Sequence, residues 1–240
     1  MKKFFCTIIS LIAICSSTMA FALDSTSPLG PIKTKQFLMV SYLLDPTTPF
    51  ESIAPLVKGE AQLAWSYYSM GRIRQMYARS DATGMVILWE AKNIADAKNA
   101  ISQMPMVKAN FIGFNLYPVT FFNSLSSLFD TNTQVSQNVT TIAKSSQFVL
   151  ITRKAQGVTD SQISALDKEE SLAVWQNYQT GLFSQMFDRE NKVGGAAIIL
   201  RADNIDDARA IVNELPLIKN KLIDYDLIPV HHFFPFEALF

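Results

Sequence analysis

The sequence predicts an α+β protein made of two tandem copies of one β-α-β-β-α-β unit. Two twenty-residue stretches, Glu60–Arg79 and Glu170–Arg189, match without a gap at seven positions. From Gly84 and Gly195 onward, fourteen of thirty-nine further positions match at an offset of 111 residues. A repeat of this length, interrupted by one single-residue gap, indicates tandem duplication.

The first copy alternates strand and helix signals in the ferredoxin-like order. Gly71 predicts a helix end, Ser80–Gly84 predicts a hairpin turn, and Asn93 predicts a helix start. The predicted elements are, in order, strand Gln36–Leu44, a helix ending near Met70, strands Arg72–Arg79 and Met85–Ala91, a helix from Asn93 to Met104, and strand Phe111–Phe122.

The second copy repeats the same order after a polar, Ser/Thr/Asn/Gln-rich linker. Asn204, with Asp207 three residues later, repeats the predicted helix start of the first copy. The predicted elements are, in order, strand Phe148–Thr152, helix Asp160–Thr180, strands Leu182–Arg189 and Ala196–Ala202, a helix from Asn204, and strand Leu222–Phe234.

The two sheets are expected to cover each other. In each copy the helices cover one face of a four-stranded sheet, yet the strands are apolar on both faces. The bare face therefore needs a partner, and the other copy can supply it. We expect two ferredoxin-like repeats packed sheet to sheet, helices outside, as an intramolecular, pseudo-dimeric α/β barrel.

The first twenty-two residues have the pattern of a secretory signal peptide. Two lysines precede the apolar run Phe4–Ile14, and Ala20–Ala22 is a small-x-small cleavage site. We therefore expect a periplasmic or secreted protein. The expected organisation is a signal peptide at 1–22, a flexible lead-in at 23–35, repeat one at 36–122, a linker at 123–146 and repeat two at 147–236.

Charge and composition exclude several classes of function. The chain has 21 basic and 21 acidic residues, and removal of the leader would leave 19 against 21. No basic run stands out, so we expect no nucleic-acid partner. No later segment has about 18 uninterrupted apolar residues, so we expect no membrane partner after cleavage. Both cysteines, Cys6 and Cys15, lie in the leader, and we expect no metal site and no cofactor.

The candidate site lies on the repeated helix and the strand after it. Helical spacing places Glu60 beside Trp65 and Tyr68, at the margin of an aromatic surface expected to face the sheet. Strand alternation places Gln75 and Arg79 on one face of the next strand. If that face of the strand meets the helix, then Glu60, Gln75 and Arg79 form one polar cluster. The second copy repeats these positions as Glu170, Trp175, Tyr178, Gln185 and Arg189.

Two interpretations of this cluster remain open. In the first, it is a ligand pocket: the two glutamates transfer protons, the arginines and glutamines bind the ligand, and the aromatic residues form its walls. In the second, glutamate and arginine pair at a rim and the aromatic residues are core. Duplication copies structural residues as faithfully as functional ones.

The two histidines are adjacent and occur in the second copy. His231 and His232 follow Pro229 on the last predicted strand, so their side chains point to opposite faces. They cannot easily share a metal ion. One of them is a candidate general base for the second copy alone.

The repeated motifs resemble a known family. Glu60…Gly71, Asn93…Ala97 and Met104–Lys108, with their counterparts in the second copy, are similar to the muconolactone isomerase-like branch of the dimeric α/β-barrel superfamily. The resemblance covers both copies. It implies a barrel fold, a pocket in each unit, and cofactor-free proton transfer within an unsaturated lactone. Glu60 and Glu170 fall where the family's helix glutamate would fall.

The expected function is therefore the binding of a small, partly apolar organic molecule, with isomerase-like proton transfer as its catalytic form. A non-catalytic interaction or structural module that keeps only the barrel is the alternative. One chain supplies the pseudo-dimer, which leaves room for a higher oligomer.

Overall fold

The computed structural model describes residues 34–122, 144, 146–190 and 192–233. The predicted signal peptide lies outside these residues, as do nearly all of the predicted lead-in and linker. Lys35 and Ser146, assigned by the sequence to those two segments, instead begin strands.

The first repeat contains four strands and three helices. They are β1 Lys35–Leu43, α1 Phe50–Ser69, β2 Ile73–Arg79, β3 Met85–Ala91, α2 Ile94–Ser102, α3 Pro105–Lys108 and β4 Ile112–Phe121. Gly71 ends α1 with a φ of 71°, a left-handed conformation that glycine adopts at little cost.

The second repeat contains four strands and four helices. They are β5 Ser146–Lys154, α4 Asp160–Ser164, α5 Asp167–Gln179, β6 Phe183–Arg189, β7 Ala196–Ala202, α6 Ile205–Asn213, α7 Pro216–Lys219 and β8 Ile223–His232. The single helix predicted over Asp160–Thr180 is thus wrong. Thr159 and Gln162 form a capping box that starts α4, and a second helix begins at Asp167.

Pro105 and Pro216 also have a role that the sequence does not predict. Each stands at the first position of a short helix, where its missing N–H costs no hydrogen bond. The sequence pattern instead predicts Pro105 as the end of a longer helix. Asn110 and Lys221, with φ of 59° and 58°, turn the chain after α3 and α7 into the last strand of each repeat.

The eight strands close into one barrel in the order β1-β3-β2-β8-β5-β7-β6-β4. The repeats join at two antiparallel seams, where Tyr77 lies opposite His232 and Val119 lies opposite Arg189. The predicted pseudo-dimeric α/β barrel is confirmed, and its two sheets are hydrogen-bonded edge to edge as well as packed face to face.

Three main apolar layers follow from this closure. The barrel interior is filled by both repeats, whereas each helix layer packs on the outer sheet face of its own repeat. The interior side chains include Leu38, Val40, Val86, Leu88, Val149, Ile151, Ile199 and Val230.

Candidate functional site

A cavity of about 760 Å³ lies between α1 and the outer sheet face of the first repeat; we call it the first cavity. Its walls are mostly apolar. They include Ile53, Val57, Ala61 and Ala64 of α1, Met39, Met76, Met85, Ile87, Trp89 and Phe114 of the sheet, and Met104 and Met106 around the start of α3. Phe233, which follows β8 of the other repeat, completes the wall.

A smaller cavity of about 310 Å³ occupies the corresponding place in the second repeat; we call it the second cavity. Its walls include Val174, Ile198, Leu215 and Leu217, together with Phe122 from the end of the first repeat. In each cavity, therefore, one aromatic residue of the wall comes from the other repeat, across a seam of the barrel.

Glu60 and Glu170 line the first and second cavity, and each binds a short helix. Oε2 of Glu60 accepts the Met106 N–H at 2.9 Å, and Oε2 of Glu170 accepts the Leu217 N–H at 2.9 Å. Both N–H groups belong to the residue after the helix-starting proline, so they have no acceptor within their own helix. The repeated glutamate is thus a cap supplied by a neighbouring helix.

Burial makes both carboxyl groups weaker acids. Removal from water raises the pKa of Glu60, and the hydrogen bond from Met106 offsets part of the rise. Burial raises the pKa of Glu170 to about 7, and the nearby Asp167 charge adds to the rise. Asp167 lines the second cavity, and burial raises its pKa too. Glu170 therefore changes charge near neutral pH.

Arg79 and Arg189 each hold the first strand of their repeat. Nη1 of Arg79 donates to the Ser41 carbonyl at 3.2 Å, and Nη1 of Arg189 donates to the Thr152 carbonyl at 2.8 Å. Their remaining contacts differ. Arg79 pairs with Asp81 through two hydrogen bonds of 3.0 Å, whereas the Arg189 guanidinium lies 4.8 Å from the Tyr117 ring centroid.

Gln75 does not join Glu60 and Arg79, so the expected polar cluster is wrong. A β-bulge between Ile73 and Gln75 changes the phase of β2, and the Gln75 Oε1 accepts the Tyr77 hydroxyl at 3.2 Å. Tyr77 belongs to the barrel interior rather than to the helix layer.

The second repeat has the same bulge, between Phe183 and Gln185. Phe187 takes the place of the tyrosine there, and Oε1 of Gln185 is buried with no partner among the described residues. Glu170 and Arg189 have the separate partners given above, so the second predicted cluster does not form either.

The predicted aromatic walls lie on the outer side of the helices. Trp65 stacks on Tyr68 with ring centroids 5.9 Å apart, and Trp175 stacks on Tyr178 at 5.6 Å. Neither pair lines a cavity. The aromatic residue of α1 that faces the sheet is Tyr67, whose hydroxyl donates to the Ala100 carbonyl at 3.1 Å.

The two histidines lie at the seam between β8 and β2. Nδ1 of His231 is 3.1 Å from Oγ of Ser80, and the His232 ring lies 5.2 Å from the Tyr77 ring. Ser80 lines the first cavity. The histidines are thus close to the first repeat's cavity, although the sequence assigns them to the second repeat.

Methionine is the feature of the site that the sequence prediction missed. The chain has nine methionines, and five of them line the first cavity. At three of these positions, Met39, Met104 and Met106, the second repeat has leucine. The signal is therefore present in the differences between the copies, which a search for matching positions passes over.

Two further findings concern the part of the chain that the structure describes. It contains no group of three or more His, Cys, Asp or Glu side chains placed to hold a metal ion. Among the helices described, none combines the length and apolar character needed to cross a membrane.

Comparison with solved structures supports the architecture. Chlorite dismutase from Candidatus Nitrospira defluvii, in complex with imidazole, superimposes with a TM-score of 0.54 at 12% identity, over 86% of this chain and 94% of that chain. A heme-binding protein from Thermus thermophilus gives a TM-score of 0.52 at 11% identity, with the same coverage of both chains.

The fold is shared. Identities of 12% and 11% show a common barrel and nothing finer about activity. No protein-family model matches the sequence. No curated protein matches it either. The muconolactone isomerase-like branch named by the motifs is not singled out by these comparisons, whereas the dimeric α/β barrel is.

Proposed function

We propose that this protein binds a small, mostly apolar organic molecule in the first cavity. The volume of that cavity carries the proposal. A space of about 760 Å³ lies within the range typical of ligand pockets, roughly 300–1,000 Å³, and its walls combine many apolar side chains with few polar ones.

Ligand binding should be lost when a larger side chain fills the first cavity, and it should be unaffected when one fills the second cavity. Ala64 is buried and lines the first cavity, and Val174 occupies the same position in the second. N-phenyl-1-naphthylamine, an uncharged dye that fluoresces in apolar surroundings, serves as the probe. Ala64→Phe should abolish its binding, and the matched control Val174→Phe should leave its affinity unchanged.

Thermal unfolding must first show that both variants fold. Ala61→Leu, on the same face of α1, repeats the test if Ala64→Phe does not fold. Equal probe affinity in wild type and in folded cavity-filled variants would overturn the proposal, as would the absence of probe binding to the wild type.

One of these structural neighbours is a heme-binding protein, and the residues present here do not fit heme. Heme iron is held by His, Cys, Tyr or a Met/His pair. Among the described residues, neither cavity lining contains His, Cys or Tyr, so no Met/His pair lies within the lining of the first cavity. Arg79, the cation of that lining, is already paired with Asp81.

Isomerase-like proton transfer by Glu60 and Glu170 is the narrower form of the proposal. A pKa of about 7 at Glu170 suits a group that gives and takes protons at neutral pH, and both carboxyl groups reach a cavity. Turnover of muconolactone, followed by ultraviolet absorbance, tests this. Activity that survives in the double variant Glu60→Gln/Glu170→Gln would contradict it.

We also propose export, which rests on the sequence of residues 1–22. The full chain, expressed with a C-terminal tag, should appear in a periplasmic or secreted fraction at a mass lowered by cleavage near Ala22. Retention of the full mass in the cytoplasm would contradict export.

A further inference from the structure

Among the described residues that line the first cavity, the only cation, Arg79, is already paired with a carboxylate. Two parallel hydrogen bonds tie Arg79 to Asp81, and the Glu60 carboxyl accepts the Met106 N–H. The Ser41 hydroxyl accepts the Met85 N–H at 2.8 Å. An anionic ligand would therefore bring an unpaired charge into an apolar space, which is unfavourable.

The remaining wall is unusually rich in sulfur and aromatic rings. Five methionines line the first cavity together with four aromatic residues. The methionines are Met39, Met76, Met85, Met104 and Met106, and the aromatic residues are Phe50, Trp89, Phe114 and Phe233. Thioethers contact aromatic ring edges favourably, and their flexible chains adapt to a flat outline.

The second repeat shows that the fold does not require this lining. Leu150, Leu215 and Leu217 occupy the positions of Met39, Met104 and Met106, and all three leucines are buried. Leucine and methionine have similar volumes, so these three exchanges change the polarizability and flexibility of the wall rather than the size of its side chains.

We infer that the first cavity is selective for an uncharged aromatic molecule over an organic anion. This inference rests on the proposed binding function and adds the chemical class of the ligand. The pairing of Arg79 with Asp81 disfavours organic anions, while the sulfur and ring edges favour a flat aromatic ligand over a saturated one of the same outline.

Two probes that share one scaffold test the exclusion of charge. N-phenyl-1-naphthylamine is uncharged, and 8-anilinonaphthalene-1-sulfonate carries the same rings with a sulfonate. The uncharged dye should bind at least about tenfold more tightly, as expected for an unpaired charge in an apolar site. Equal or tighter binding of the sulfonate, abolished by Ala64→Phe, would overturn the inference while leaving the binding function standing.

Competition between naphthalene and its saturated counterpart decalin tests the aromatic preference. Both are measured by displacement of N-phenyl-1-naphthylamine from wild type and from the triple variant Met39→Leu/Met104→Leu/Met106→Leu. In wild type, naphthalene should compete roughly threefold or more better than decalin. In the triple variant that ratio should approach one, because naphthalene loses its contacts with sulfur.

Each outcome separates the inference from the proposed function. If naphthalene and decalin compete equally in wild type, the aromatic class is wrong although the cavity binds ligands. If the ratio persists in the triple variant, sulfur is not its cause, and the inference fails in that part. If no dye binds to the wild type, the proposed function itself fails.

Discussion

The two cavities are built from the same elements and differ in what they can hold. Both lie between the first long helix of a repeat and its sheet, and both contain the capping glutamate. In both, one phenylalanine of the wall comes from the other repeat. Yet Val57 and Ala61 of the first repeat are replaced by Asp167 and Ser171 in the second. One cavity measures about 760 Å³ and the other about 310 Å³.

This difference shows which features of the duplicated unit belong to the fold and which to a site. The glutamate cap, the proline that starts the short helix and the arginine on the first strand's carbonyl recur in both repeats. They stabilise the unit. Four of the five cavity methionines and the apolar helix face occur in the first repeat alone, and these differences favour a specialised site there.

Grafting the polar helix face of the second repeat onto the first should have the largest effect on ligand binding. The double variant Val57→Asp/Ala61→Ser places a carboxylate and a hydroxyl in the first cavity without matching partners. Affinity for N-phenyl-1-naphthylamine, measured by fluorescence titration, should fall about tenfold. The reverse pair, Asp167→Val/Ser171→Ala, is the control and should leave affinity unchanged. A loss in the control alone would place the site in the second repeat.

Glu170 should make stability depend on pH more than Glu60 does. Its folded pKa of about 7 lies above the ordinary 4.5, so the folded state holds a proton that the unfolded state has lost. The contribution of Glu170 to the free energy of unfolding is present in full below pH 4.5. It decreases as the pH rises toward 7. The decrease should amount to about 2–3 kcal/mol.

Urea denaturation across that pH range measures the effect. Glu170→Gln should flatten the curve, while Glu60→Gln should change it less, since burial raises the pKa of Glu60 by a smaller amount. The same slope in wild type and Glu170→Gln would show that the second-repeat glutamate titrates normally.

Removal of the glutamate cap should destabilise both repeats. Glu60→Ala leaves the Met106 N–H without its acceptor, and Glu170→Ala does the same for Leu217, at about 1–2 kcal/mol each. Above pH 7 the loss should be smaller for Glu170→Ala, because that variant also removes an unfavourable buried charge. The Gln variants keep an acceptor and are the controls. If both Ala variants have the same denaturation midpoint as the wild type, the glutamate cap does not stabilise the fold.

Removing the tyrosine hydroxyl from the first repeat, or adding one at the matching position of the second, should have the smallest effect on the free energy of unfolding. Tyr77→Phe removes the donor to Gln75 and should cost about 1 kcal/mol of unfolding free energy. Phe187→Tyr offers a donor to the unpaired Oε1 of Gln185 and should recover about 0.5–1 kcal/mol. If Tyr77→Phe is neutral and Phe187→Tyr destabilises, the two glutamines are not equivalent positions.

Much of the fold could be predicted from the sequence because duplication doubles every signal. The positions of Gly71, Asn93 and their counterparts mark the same boundaries twice, and most of the strand boundaries fall within two residues of those predicted. The short helices were missed because Pro105 and Pro216 resemble helix ends when the glutamate that caps the next residue is unknown.

The candidate site was only partly predictable, for two physical reasons. The β-bulge before Gln75 inserts one residue into the alternation, and this sequence gives no clear sign of it, so Gln75 was assigned to the wrong face of the strand. Matching positions also favoured Trp65 and Tyr68 over Tyr67, which faces the sheet but is replaced by Asn177 in the second copy.

The location of the ligand is the central claim, and a crystal structure of the protein soaked with N-phenyl-1-naphthylamine tests it most directly. The account predicts one dye molecule between α1 and the outer sheet face of the first repeat, in contact with Ala64 and the cavity methionines. Dye bound in the second cavity, or on the protein surface with the first cavity collapsed, would contradict it.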